Sequence, residues 1–287
     1  MSTHYVEWLK TQGTPLYRLR DIYWQPYNRG LLPASPAPCF IEITHAEGKA
    51  LLRESGAWFL EYNSDPCEQP TDWWYVVCDA YDPKKFPSKI RSEINRGNRN
   101  CSVKRVEAEW LAQHGYKCYL AAFRRHKNDR PVAQERFRGR VLRSVGGPFE
   151  YWGVFVGDKL AGYCQCVLED KDVATSVIKL DPAYFKQYSS YALISNLVNH
   201  YVVTRGMVIN NGTRSIAHET NFQQLLLKLG FRKQFCRLNV IYSGWMEKAV
   251  QVIFPFQKLI GRLPYHHGLI HKLRALLFLE ELKRLCR

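Results

Sequence analysis

The densest chemistry in the sequence is cationic. Residues 89–105 read KIRSEINRGNRNCSVKR and place Lys89, Arg91, Arg96 and Arg99 within about three turns of an expected helix. Guanidinium groups so grouped can grip phosphate oxygens in pairs. The competing reading is a solvated helix face, because Ile90 and Ile94 form an i, i+4 apolar stripe that turns the basic side outward. The whole chain leans the same way, with 41 Lys and Arg against 26 Asp and Glu and a formal charge of +15. Such a field suits a polyanionic partner: RNA, a CoA-like pyrophosphate, a nucleotide-linked or lipid-linked acceptor, or an anionic membrane. It also serves plain solubility.

Other chemistry-bearing residues are sparser. Nine cysteines stand at 39, 67, 78, 101, 118, 164, 166, 236 and 286, with no Cys-x-x-Cys pair among them. The pattern implies a reducing compartment, and no metal site is expected. Cys164 and Cys166 share one face of an expected strand, where they read as small buried hydrophobes. The 17 Tyr and 8 Trp suit either deep cores or stacking surfaces and choose between neither.

The elements that must position these groups can be read from pattern and punctuation. A chain of 287 residues, 46% hydrophobic and 23% charged, implies a globular protein of one large domain or two closely fused ones. Nothing at the start resembles a secretory leader, and no run approaches about 18 apolar residues, so a cytoplasmic protein is expected. Pro15, Pro26, Pro33, Pro36 and Pro38 argue against long helices in residues 1–40. Residues 45–56 read as a helix closed by Gly56, with strands at 57–62 and 73–78, and the basic helix starts after Pro87-Ser88. A short helix is expected at 107–113 and a basic helical region at 124–143, broken by Gly146-Gly147-Pro148. Residues 151–156, the Gly157-Asp158 turn, 159–168 and 173–180 make an antiparallel meander. A long helix at 191–204, a strand at 207–210, a helix at 221–229 ended by Gly230 and a strand at 231–243 complete an α/β sandwich. In the tail, residues 245–287, eight Lys or Arg face three acids, and Leu269, Leu273 and Leu276 form a helical stripe. Docking on the domain is favoured over lying on an anionic membrane.

YWGVFVGDKLAGYCQCVL followed by VATSVIKLDPAY, a long helix and LLLKLGFRKQF resembles the GNAT acyltransferase core over about residues 106–243. The preceding KIRSEINRGNRNCSV is similar to the segment that FemAB-type transferases place ahead of their second GNAT-like lobe. The resemblance implies a GNAT-like acyl-CoA N-acyltransferase fold, α/β, with a mixed, mostly antiparallel central sheet flanked by helices. It implies a reduced N-terminal lobe in 1–105, a core in 106–244 and a basic amphipathic tail in 245–287. The implied activity is transfer of an acyl or aminoacyl group to an amine or hydroxyl, with acyl-CoA or aminoacyl-tRNA as co-substrate and no permanently bound cofactor. The alternative is a non-catalytic module binding RNA or an anionic surface, and the tail offers peripheral contact with the inner membrane face.

Within the resemblance, the loop 181–190 (DPAYFKQYSS) faces the donor, and Lys186, Tyr188, Ser189 and Ser190 are its candidate contacts. It lacks the glycines with which CoA users bring backbone close to phosphate, which moves the donor away from plain acetyl-CoA. Leu226 stands where CoA-dependent members carry a general-acid tyrosine. His218 and Glu219 are candidate substitutes, with Asn210 and Asn211 beside them. Asp181, before Pro182, either orients an amine or forms an Asx turn.

Overall fold

The computed structural model describes residues 3–125, 130–214, 222–262 and 268–286. The chain opens with helix α1 (Thr3–Thr11). The prolines of residues 1–40 were expected to exclude long helices, and this nine-residue helix ends before the first of them, Pro15. Strands β1 (Tyr17–Leu19), β2 (Ile22–Tyr27) and β3 (Gly30–Pro33) pair antiparallel. Helix α2 (His45–Ser55) has a reciprocal cap: the Glu47 N–H donates to Thr44 Oγ1, the Glu47 carboxylate accepts from the Thr44 N–H, and Gly56 closes the helix at φ 67°. Strands β4 (Phe59–Cys67) and β5 (Trp74–Cys78) lead to the basic helix α3 (Ser88–Asn100), whose preceding residue Pro87 gives it no side-chain cap.

Strand β6 (Ser102–Val106) follows, then α4 (Ala108–His114), α5 (Tyr116–Ala122) and α6 (Gln134–Leu142). The meander is β7 (Phe149–Val156), β8 (Lys159–Glu169) and β9 (Asp172–Leu180). Helix α7 (Ser189–Val198) continues as a π-helical turn to Thr204, followed by β10 (Val208–Thr213), α8 (Phe222–Lys228) and β11 (Arg232–Tyr242). The tail forms α9 (Gly244–Ile253), α10 (Gln257–Ile260) and α11 (Gly268–Leu285).

The described strands make one sheet in the order β1-β2-β3-β4-β11-β5-β10-β9-β8-β7-β6. Only β3–β4 and β9–β10 pair in parallel, so the sheet is mixed and mostly antiparallel. Alternation along the strands sends neighbours to opposite faces. Val76 and Cys78 meet α3, α7 and α8, whereas Tyr75 and Val77 meet α9 and α11. Trp152 joins the α7 side and Tyr151 the α4–α6 side. Cys164 and Cys166 are both fully buried on the α7 side with their sulfurs 3.7 Å apart.

The tail docks, burying Leu279, Leu282 and Cys286 against β5 and β11, with Leu277 buried as well. The expected leucine stripe is displaced. Leu276 packs at the margin and Leu273 is half-buried, because residues 276–279 (LLFL) are four consecutive apolar side chains and bury a broad arc. No described helix is long and apolar enough to cross a membrane.

Candidate functional site

The site is built where two parallel strands part. β9 and β10 pair only at Asp172↔Val208, Val173↔Ile209 and Ala174↔Asn210. Beyond that point β9 stays paired with β8, while β10 turns away through Gly212 at φ 76°, whose N–H donates to Asn210 Oδ1. Thr175 Oγ1 pins the fork, donating to the Asn210 carbonyl at 3.1 Å and accepting from Asn211 Nδ2 at 2.7 Å. One residue on, β9 bulges: Thr175 faces Cys166 and Val177 faces Gln165, leaving Ser176 without a cross-strand partner. A bulge re-aims its side chain and takes backbone groups out of the ladder.

Ser176 starts a directed chain of hydrogen bonds. Its Oγ donates to Gln165 Oε1 at 2.9 Å, Gln165 Nε2 donates to the Tyr151 hydroxyl at 2.5 Å, and Tyr151 shares 2.9 Å with Ser144 Oγ. Ser144 gives its own proton to the Val141 carbonyl at 2.6 Å, so Tyr151 is the donor to Ser144. Burial raises the Tyr151 hydroxyl above its ordinary value, which keeps that proton in place at neutral pH. With its proton committed, Ser176 Oγ keeps its lone pairs for a ligand N–H.

This chain floors a cavity of about 530 Å³ between β7–β9 and α5–α6. Tyr119, Phe123, Phe137 and Tyr163 wall it, and Arg140 and Lys179 add positive charge. The Lys179 ammonium stands 4.3 Å from the Phe123 ring centroid, a cation–π distance.

The donor loop lies at the far end of the strand. From Ser176 to Asp181 is about 16 Å of extended chain. Asp181 accepts the Ala183 N–H at 3.0 Å, so its carboxylate forms the Asx cap of a short 3-10 turn. Tyr188 takes the left-handed conformation at φ 59° and starts α7, where Ser189 is fully buried with no partner for its hydroxyl. The basic helix presses on this point. A Cβ on Gly97 would stand 2.8 Å from the Tyr188 carbonyl and 3.1 Å from the Ala192 nitrogen. Asn196 Nδ2 donates to Asn98 Oδ1 at 3.0 Å, fixing α3 along α7.

The tertiary structure thus joins the two clusters picked out in the sequence, with Lys89, Arg91, Arg96 and Arg99 exposed on a helix packed against the 181–190 loop. Arg91 donates to the Lys84 carbonyl at 3.1 Å. Lys186 is exposed, and Tyr188 and Ser190 are half-buried. Asn211 sits at the fork, while Asn210 is buried, its amide reaching the Pro36 carbonyl at 3.4 Å. His218 and Glu219 lie outside the described residues. Leu226 is in the core, where no acid could reach a ligand. Ser176, Gln165, Tyr151, Arg140 and Lys179 escaped the sequence reading. The one visible signal was Thr175-Ser176, a small polar pair between the apolar pairs Val173-Ala174 and Val177-Ile178.

No family model matches the chain, and no curated protein matches its sequence. Solved structures do match. The C-terminal domain of a protein described as a lysylphosphatidylglycerol synthetase from Agrobacterium fabrum is 10% identical, with TM-score 0.58 over 88% of this chain and 92% of that one. FemX is 10% identical, with TM-score 0.54 over 88% and 93%. L-PGS from Bacillus licheniformis is 9% identical, with TM-score 0.52 over 98% and 96%. Together with the parallel fork inside a mostly antiparallel sheet, these matches show that the chain shares their fold, a GNAT-like α/β architecture.

Proposed function

We propose that the chain transfers an acyl or aminoacyl group from an acyl-CoA or an aminoacyl-tRNA to an amine, or to a hydroxyl, at the fork between β9 and β10. The observation that carries this reading is the fork with its bulge, where β10 pairs with β9 no further than Ala174 and Ser176 is left without a cross-strand partner. A donor lying along it would set its phosphates near Lys186 and the arginines of α3, and its carbonyl at the bulge. Exposed guanidinium groups and the α7 N-terminus both favour negative charge there.

The chemistry asks little of side chains. The acceptor nitrogen attacks the carbonyl carbon, the C–N bond forms, and the C–S bond of a thioester or the C–O bond of a tRNA ester breaks. The acceptor loses a proton and the leaving group gains one. Backbone N–H freed at the bulge would hold the oxyanion, and positioning supplies most of the remaining acceleration. Ser176 Oγ accepts an N–H of the incoming amine and aims its lone pair. The cavity takes the acceptor's body, its rings favouring a flat or apolar group and Arg140 with Lys179 favouring an anionic one. His218 and Glu219, which follow β10 in the sequence, are the proposed proton carriers. With these co-substrates the reading is of a protein acting in the cytoplasm.

A second reading, a module that holds RNA or an anionic surface without turnover, is favoured by one observation: Leu226 is core. One experiment separates the two. Thermal shifts and transfer are measured with acyl-CoA thioesters and with charged tRNA, using Arg91→Ala and Lys186→Ala as donor-site controls. A donor that stabilises the wild type, loses this effect in the controls and is consumed supports the transferase. Salt-sensitive RNA binding with no transfer from either donor class overturns it in favour of the second reading.

A further inference from the structure

The surface of α9 and α10 carries a feature that the transfer reaction does not use. Trp245, Val252, Phe256 and Leu259 are 55%, 68%, 57% and 61% exposed, on two helices joined by a single 3-10 turn at Phe254–Phe256. At about 100° per residue Trp245 and Val252 lie about 20° apart on α9, and Phe256 and Leu259 follow on the turn and on α10. Met246 and Val250, on the other side of α9, are buried against the sheet. The apolar patch is therefore not a misplaced core face, because the core face of the same helix is already occupied.

Lys248, Lys258 and Arg262, all exposed, are interspersed with these apolar residues along the same stretch of chain. At its N-terminal end Trp245 packs edge-on against the exposed ring of Trp58, with ring centroids 4.9 Å apart, and the Arg29 guanidinium lies 5.3 Å over Trp58. Each of the four side chains leaves more than half of itself in water. Trp, Phe, Leu and Val on one face with Lys and Arg beside them is the composition of a helix lying in the headgroup region of an anionic membrane.

We infer that α9 and α10 form a membrane-contact face that seats the protein on an anionic bilayer, with the four apolar side chains in the headgroup–acyl boundary and Lys248, Lys258 and Arg262 on lipid phosphates. The membrane contact expected from the tail thus falls on α9–α10, because Leu276, Leu279 and Leu282 of α11 pack against the sheet. The inference stands apart from the transfer reading, since none of these residues touches the fork or the cavity.

The test is flotation of the full chain with vesicles of phosphatidylcholine alone and of phosphatidylcholine mixed with phosphatidylglycerol. The wild type is expected to float with the anionic vesicles, with release on raising salt from about 0.05 to about 0.5 M. Phe256→Ser with Leu259→Ser is expected to lower the partition coefficient at least about tenfold. Lys248→Gln, Lys258→Gln and Arg262→Gln together should lower it about a hundredfold on anionic vesicles only. Trp245 emission, isolated by subtracting a Trp245→Phe variant, should shift blue on binding. The substituted side chains are exposed, so wild-type melting temperatures would show that the variants are folded. Equal partition into both vesicle types, or full binding by the serine variant, would overturn the inference. So would a lipid-free dimer that dissociates on the serine substitutions, which would make this face an interface between copies.

Discussion

Replacing Glu61 with glutamine should stabilise the protein in a strongly pH-dependent way. Glu61 sits in β4 between Leu60 and Tyr62, which face α2, so its own side chain points to the opposite face, across from Val240. That face is covered by α9 and α11. Burial alone acts on the carboxyl and pushes it up from 4.5 to about 7. A shift of about 2.5 units corresponds to about 3 kcal/mol, and because the residue is half-buried, screening by solvent trims this to about 2 kcal/mol. The folded pKa lies above the unfolded one, so the folded state holds its proton longer. Below about pH 4.5 both states are protonated and stability is full; it falls as pH rises toward 7 and is level above. Glu61→Gln removes this loss. Urea unfolding should show the variant about 2 kcal/mol more stable at pH 8 and nearly equal to wild type at pH 5, with an unchanged m-value. An equal gain at both pH values would trace the effect to packing, and a loss at pH 8 would mean that the carboxylate has a partner; either refutes the reasoning.

Three further outcomes are expected. Gly97→Ala gains about 1 kcal/mol of helix propensity but drives a methyl into the Tyr188 carbonyl, so a net loss of about 1–2 kcal/mol is expected in chemical denaturation, with weakened donor binding in calorimetry. Gln165→Leu leaves the Ser176 hydroxyl only its longer, 3.3 Å bond to the backbone carbonyl of residue 165 and the Tyr151 hydroxyl without its donor; transfer should fall about tenfold or more, chiefly in kcat, while the melting temperature moves only a few degrees. Arg91→Ala, Arg96→Ala and Arg99→Ala together should flatten the salt dependence of RNA binding by about two units of slope on single strands, measured by fluorescence anisotropy.

Much of the architecture was legible because it depends on local chemistry. The capping box and Gly56 bound α2, and Gly157-Asp158 closes the β7–β8 hairpin. The basic helix with buried Ile90 and Ile94 was visible for the same reason. The tail was read less well, since four consecutive apolar residues fit several stripes and only the docked partner selects among them.

What the sequence by itself determined is the composition of the site's outer parts: the arginines of α3, the polar loop at 181–190 and the strand order that brings the fork about. What only the tertiary structure decided is their joining. Gly97 against Tyr188, the bulge that frees Ser176 and the relay from Gln165 to Ser144 link residues distant in the chain, through contacts that no local propensity encodes. The bulge in particular is a mismatch of count between β8 and β9, and a mismatch between two strands is written in neither of them alone.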